Sequence, residues 1–286
     1  MSGGPFGAAL DALPPIDLAE LLERALLQTR MDRKYVLPVA AARALVGRLP
    51  ADTRVLEIAG ERGFGYRSLY FDTPDLVSYR MAARRRRRRF KVRTRLYEQS
   101  DECWLEIKTA GLRNSTVKER LPYDPRDRDT LAPGRPFLDA ALAELGLPDG
   151  HRLTFLPTLT TRYDRVTFYL PGTGSRVTLD TDLLWEDTER ALRLPDMAVV
   201  ETKTGSSPSE ADRLLWRAGY RPVRISKYAT GLAALHPHLP DAPWRRVLRR
   251  ELTPRVRQRR PEAVSAPAPS PHRSDVVMAD RGPAHD

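Results

Sequence analysis

The chain has almost no cysteine. Cys103 stands alone among 286 residues, so no intramolecular disulfide framework is possible, which fits a reducing compartment. Long apolar runs are missing too, and none approaches the ~20 residues that a membrane helix needs. The opening MSGGPFGAALDALPP lacks the basic-then-apolar pattern of a signal peptide. We therefore expect a soluble, cytoplasmic protein with no membrane span. The histidines, His151, His236, His238, His272 and His285, lie in expected loops or tail without metal-ligand spacing, so they are assigned no site.

What the chain has in abundance is charge. Lys and Arg number 48 against 37 Asp and Glu, a formal net charge of +11. The excess is local. Residues 84–95 carry nine positive charges and no acid, and residues 245–260 carry eight against one acid. Outside them the chain is net acidic. Local basic excess points to an anionic partner: nucleic acid, a phosphate polymer, a nucleotide or a membrane surface. Charged residues make up 30% and hydrophobic ones 41%, so either part of the chain is disordered or the fold has a charged interior.

Composition divides the chain into a flexible Gly/Pro/Ala-rich N-terminus (1–15), a core domain (16–240) and a basic, Pro-rich disordered tail (241–286). Apolar residues at helical spacing mark 15–28. Further helices are expected over 38–49, opened by Pro38, over 73–83 with Thr73 as N-cap, and over 136–146 and 207–219, each ending at a glycine. Strands are expected over 29–37, 53–59, 66–72, 90–97, 103–109, 115–122, 158–169, 175–181 and 197–204.

Side chains alternate between the two faces of a strand. In 90–97, Phe90, Val92, Thr94 and Leu96 share one face; Lys91, Arg93, Arg95 and Tyr97 share the other. The same split recurs. Trp104, Glu106 and Lys108 oppose Leu105 and Ile107, Lys118 and Arg120 oppose Val117 and Leu121, and Tyr163 and Arg165 go together. Arg176, Thr178 and Asp180 oppose Val177 and Leu179, and Glu201 and Lys203 oppose Val200 and Thr202. A single strand of this kind is ordinarily half-buried with its charges in water. Repetition changes the reading. Too few helices are available to cover both sides of such a sheet, and a closed barrel removes its edges. The apolar faces then turn outward against helices and the charged faces line a lumen. Charges in a lumen are costly unless paired or bound to a ligand. Polyphosphate with a divalent cation suits a basic lumen holding a few carboxylates.

The ordered set RMDRKYVL, SLYFDTPDLVSY, FKVRTRLY, LEIKT, VKERL, YDRVTF, RVTLDTDL, VVETKT and RISKYATG resembles a VTC domain. VTC domains are the polyphosphate polymerase branch of the triphosphate tunnel metalloenzymes. The resemblance spans about residues 30–235. It implies an α+β fold: an antiparallel eight-stranded tunnel barrel with a charged lumen, flanked by helices. It implies transfer of the ATP γ-phosphate onto a growing inorganic polyphosphate chain, with Mn2+ or Mg2+ as cofactor. By position, Lys227, Arg93, Arg95, Lys108 and Arg165 would be catalytic. Lys34, Arg80, Lys118, Tyr163, Arg176, Arg224 and Ser226 would bind phosphate, with Arg84 a rival to Arg80. Glu201, with Glu106, would hold the metal. Arg224 stands where lysine is the more usual residue. The strand MDRKYVL lacks the Glu-x-Glu-x-Lys opening of the triphosphatase and cyclase branches, which favours the polymerase branch.

Plainer roles exist for several of these residues. Glu106 and Glu201 can pair with Lys108 and Lys203 across strands. Lys227 can cap a helix or neutralise a surface, Tyr163 can be ordinary core, and Asp72 and Thr73 can make only a turn and a cap. The Arg84–Arg89 run cannot all face one lumen. It is read as ringing the mouth and funnelling ATP or polyphosphate, with a plain solvated surface as its alternative. Rival functions are a tripolyphosphatase or nucleoside triphosphatase of the same fold, a non-catalytic polyphosphate or nucleotide sensor, and a nucleic-acid binder. The last is disfavoured because aromatics are not interleaved with the basic run. A membrane-protein partner is possible, since known polymerases of the family work in membrane complexes.

Overall fold

The computed structural model describes residues 6–25, 31–110 and 116–252. In chain order the elements are α1 (Gly7–Asp11), β1 (Pro15–Ile16), α2 (Leu18–Ala25), β2 (Met31–Pro38), α3 (Val39–Val46), β3 (Arg54–Leu56), β4 (Phe64–Asp72) and α4 (Val77–Ala83). Then come β5 (Phe90–Tyr97), β6 (Glu102–Ala110), β7 (Thr116–Tyr123), α5 (Arg135–Glu144), β8 (Leu156–Leu170), β9 (Ser175–Glu186), β10 (Ala191–Leu194), β11 (Met197–Thr204), α6 (Glu210–Arg217) and α7 (Lys227–Leu235). Eight strands form one antiparallel path in the order β2-β11-β9-β8-β4-β5-β6-β7, with β1, β3 and β10 as side branches.

The path curls. Lys34 on β2 and Lys108 on β6 stand far apart along it, yet the charge of Lys34 bears on Lys108 and on Lys91 of β5. The expected tunnel architecture is therefore present, with its two end strands unjoined among the described residues. Among the described residues no backbone hydrogen bond joins β2 to β7, the two ends of the path. The free edge of β2 is used otherwise: Val223 N–H donates to the Lys34 carbonyl at 2.7 Å. The edge strand β7 carries exposed Lys118 and Arg120, charges of the kind that blunt an unpaired edge.

The outward faces are apolar and covered by helices. Tyr35, Leu37, Val177, Leu179 and Val200 pack with Leu45 and Val46 of α3 and with Ala211 and Leu215 of α6. Val92, Leu105 and Ile107 pack with Leu138, Ala141 and Leu142 of α5. Burying a large apolar side chain contributes roughly 1.5–3 kcal/mol, so these helices hold the sheet curled with its charged face inward. Helix α6 opens with a capping box of Ser209 and Asp212. The buried Asp212 also accepts from Tyr35 OH (2.6 Å) and Thr202 Oγ1 (2.7 Å), tying α6 to β2 and β11.

The inward face is not charged throughout. Val36, Tyr70, Leu159, Val199, Leu183 and Trp185 form an apolar cluster with Tyr228, Ala229 and Leu232 of α7. Strand alternation alone would put Leu183 and Trp185 outside, because Asp180 points in. A register shift between β8 and β9 at Arg162/Asp164 corrects this. It coincides with Asp182, whose backbone is left-handed (φ 49°), a conformation Asp tolerates better than most residues. Gly231 lets α7 lie directly on Trp185: a Cβ there would come within 2.8 Å of the indole ring.

Several boundaries differ from expectation, three of them at helical segments. Part of the N-terminus expected to be loose is helical, and Phe6 and Leu10 are buried in the core at 5% exposure each. The folded part also runs past 240. Trp244, Val247, Leu248 and Leu252, in a helical stretch over 245–252, join the apolar cluster around α7; the rest of the expected tail lies outside the described residues. The third concerns α4, whose N-cap is Leu76 rather than Thr73. Thr73 Oγ1 still accepts from Val77 N–H at 2.9 Å, and the buried Asp72 carboxylate accepts from the N–H groups of Ser78 and Tyr79, each at 2.8 Å.

Candidate phosphate-binding lumen

Strand register assembles the inward face row by row. Lys91 on β5 lies opposite Lys108 on β6, which lies opposite Lys118 on β7. In the next row Arg93 faces Glu106, which faces Arg120, with Tyr70 on the other side of Arg93. Arg95 stands between Ser68 and Trp104. Around the wall, Arg165 faces Asp180, Glu201 is flanked by Thr178 and Lys34, and Lys203 by Arg176 and Asp32.

The carboxylates on this face are engaged in ion pairs. Arg93 Nε donates to Glu106 Oε2 at 2.8 Å, and its Nη1 donates to Tyr70 OH at 2.8 Å. Lys118 Nζ reaches Glu106 Oε1 at 3.3 Å. Burial opposes the charge on Glu106, yet Arg93, Arg95 and Lys118 hold its carboxyl well below the usual range. Asp180 is gripped by Arg165 through two hydrogen bonds of 2.6 and 2.8 Å and also accepts from Lys227 Nζ. Burial again opposes its charge, and Arg165 and Lys227 again keep its pKa low. Lys203 Nζ donates to Glu201 Oε1 at 2.7 Å and to Asp32 Oδ2 at 2.6 Å. Lys34 stands 4.0 Å from Glu201 Oε2.

Tyr163 ties the cations together. Its hydroxyl accepts from Arg95 Nη2 at 3.0 Å, and its ring carries Lys227 Nζ at 4.1 Å and the Arg165 guanidinium at 5.3 Å. It stacks on Tyr66 at 5.2 Å, which also meets Arg95 and Arg165. Burial raises its pKa, but Arg95, Arg165 and Lys227 outweigh this and lower it.

In the lysine row Lys118 shares Glu106, but Lys91 and Lys108 have no such balance. Burial, reinforced by Lys34, Arg93 and Arg89, pushes Lys91 down to about 7. Arg93, then burial and Arg95, push Lys108 well below the usual lysine range. Like charges directly opposite across strands destabilise a sheet. This face thus holds more positive charge than its own carboxylates neutralise.

The structure brings Lys34, Arg93, Arg95, Lys108, Lys118, Arg165, Arg176, Tyr163, Lys227, Glu106 and Glu201 onto one inward face. It leaves others outside. Arg80 is committed to its own helix start, donating Nε to the Asp75 carbonyl at 2.7 Å in an exposed setting. Its rival Arg84 is the exposed C-cap of α4. Arg224 is exposed. Ser226 is the N-cap of α7, accepting from Ala229 N–H at 3.3 Å, and so positions the neighbouring Lys227. Of the plainer pairings, Glu201–Lys203 forms, while Glu106 pairs with Arg93 and Lys118 instead of Lys108.

A hard divalent cation needs carboxylate oxygens with room around them. Glu201 fits, with one oxygen only loosely paired and 17% of its side chain exposed. Glu106 does not: both oxygens are engaged and 1% of its side chain is exposed. Among the described residues no group of three or more His, Cys, Asp or Glu is placed to hold a metal. An ion at Glu201 would therefore draw further oxygens from water and from a bound phosphate, as Mg2+ commonly does. Asp180 was not singled out from the sequence. Its signal was its shared face with Arg176 and Thr178; the β8/β9 register sets it directly opposite Arg165.

The VTC domain family model matches residues 29–236, which is most of the chain and all of the curled sheet. The chain belongs to the VTC domain family. No curated protein matches it. Solved structures with similarity include a Hippeastrum protein assigned as an adenylyl cyclase and described as having a dominant triphosphatase activity. It is 18% identical, covers 72% of this chain and 97% of its own, and has a TM-score of 0.45. A Bacillus halodurans protein assigned as an adenylate cyclase is 14% identical over 71% of this chain and 96% of its own, with a TM-score of 0.46.

Proposed function

We propose that this protein is a polyphosphate polymerase-like phosphotransferase, moving the γ-phosphate of ATP onto a growing polyphosphate chain. The observation that carries the reading is the lysine row, Lys91–Lys108–Lys118, with Lys34 facing it. Lysines set side by side in this way resist carrying charge together until an anion fills the space between them, and a bound polyanion favours their charged forms,. A triphosphate supplies several charges in one flexible ligand.

Phosphoryl transfer is catalysed mainly by positioning and by electrostatic stabilisation of spreading negative charge. Arg93, Arg95, Arg165 and Lys227 are held in place by Glu106, Tyr163 and Asp180 before substrate arrives, so they need little reorganisation. The acceptor is the terminal phosphate of the chain, so no protein nucleophile is required. Glu201 is the residue that would hold Mg2+ or Mn2+. When bound, the ion would neutralise charge on phosphate oxygens. The exposed Arg84–Arg88 stretch gathers polyanions from solution,. The chain acts in the cytoplasm, alone or docked on a membrane partner.

The test is incubation of purified protein with γ-labelled ATP and Mg2+ or Mn2+, read on a gel, with Glu201→Gln and Lys227→Ala in parallel. Long labelled polymer, lost in both variants, is the expected result. Orthophosphate without polymer would replace the reading with a triphosphatase. Tight polyphosphate binding without turnover would replace it with a sensor.

A further inference from the structure

The aromatic rings on the inward face have different surroundings. Tyr66 and Tyr163 stack on each other, and Tyr70 stacks on Tyr228. Trp104 is different. It sits on the charged face of β6, in register between Arg95 and Pro122, and it is half-buried rather than sealed. Among the described residues its indole is paired with no other aromatic ring. Its contact is the guanidinium of the exposed Arg120, 4.2 Å from the ring centroid.

An indole is a poor partner for phosphate. It offers one N–H and a broad apolar face. That face adjoins the cations, with Glu106 and Lys118 linked by an ion pair in the neighbouring rows. A ligand matching the whole surface is polyanionic at one end and flat and aromatic at the other. Nucleobases stack on aromatic side chains and on arginine planes, and they do so with little regard to base identity.

We infer that Trp104 and Arg120 form a nucleobase platform, which makes a nucleoside triphosphate, rather than inorganic triphosphate, the preferred small ligand of this lumen. The inference rests on the phosphate-binding reading above and adds what selects the donor. The base lies against the indole with the exposed Arg120 as the second wall. The triphosphate extends toward Arg95, Arg93 and the lysine row. The platform is broad in specificity, because stacking reads a π-face and not a hydrogen-bonding edge.

The experiment is calorimetric titration of the full chain, with Mg2+ present, using the β,γ-imido analogue of ATP and, separately, inorganic tripolyphosphate. Trp104→Leu is expected to weaken the ATP analogue about tenfold or more, leaving tripolyphosphate within twofold. Trp104→Phe is expected to restore most of the loss. On the unaltered protein, ribose 5-triphosphate, which lacks a base, is expected to bind like tripolyphosphate; this comparison needs no variant to fold. Equal losses for both ligands in Trp104→Leu, or no loss for either, would overturn the platform while leaving the phosphate lumen standing. Ribose 5-triphosphate binding as tightly as the ATP analogue would do the same. Failure of every triphosphate to bind the unaltered protein would overturn the lumen reading itself.

Discussion

At the residue scale the informative group is Lys91. Its folded pKa is depressed to about 7 from an ordinary 10.5. Between those values the unfolded chain binds the proton and the folded one does not, so stability of the empty protein rises with pH across that window. Below about 7 both states are protonated and the penalty is present in full. Thermal unfolding between pH 7 and 10 should show this rise, a few kcal/mol at most by the usual conversion. Lys91→Met should flatten it in part, with Lys108 keeping the remainder. A bound polyanion reverses the preference: it recharges these lysines, so tripolyphosphate binding near pH 8 should take up protons. Titrations in buffers of different ionisation enthalpy measure that uptake directly. Alternation of Lys91, Arg93 and Arg95 was legible in the sequence, and so was their common face. The depressed pKa of Lys91 was not, because it depends on the curl of the sheet, which buries the amine and also brings up the charge of Lys34 from the far end.

At the element scale α7 matters most. It carries Lys227 at its first turn and packs its apolar side on Trp185 and Tyr163. Its depth is set by Gly231. Gly231→Ala would force a methyl into the indole ring, an overpacking that costs about 1–3 kcal/mol. It should also lift Lys227 away from Asp180. The expected outcome is a lowered Tm together with a loss of turnover larger than Gly219→Ala produces. That comparison glycine has no atom within 4 Å of its hypothetical Cβ but carries a positive φ of 85°. This helix was hidden from sequence reading. KYATGLAAL is short, contains a mid-helix glycine and has a weak apolar stripe because nearly all of it is buried. The strands were more open to view. Phe90–Tyr97 and Met197–Thr204 coincide with the alternating segments because one face is apolar and the other charged. Strand β9 ran on past the expected end, since its bulge at Asp182 breaks the alternation that would have announced Leu183 and Trp185.

At the scale of the whole molecule the charge is arranged in two tiers. Inward, Arg93, Arg95, Arg165 and Lys227 are held by carboxylates and tyrosines. Arg84–Arg88 are exposed, and among the described residues none of them forms an ion pair. An exposed tier of this kind acts on encounter rather than on the final complex. Replacing Arg84, Arg86 and Arg87 together by serine should slow association of long polyphosphate about tenfold at low salt. Dissociation and Tm should change little. Stopped-flow association across a salt series checks this, and the altered protein should show the shallower salt dependence.

The edge of β2 has a second consequence. Val223 takes the place there that a neighbouring strand would fill. The segment that leads into Lys227 is therefore moored to the strand that carries Lys34, and cations from the two ends of the domain keep one common frame.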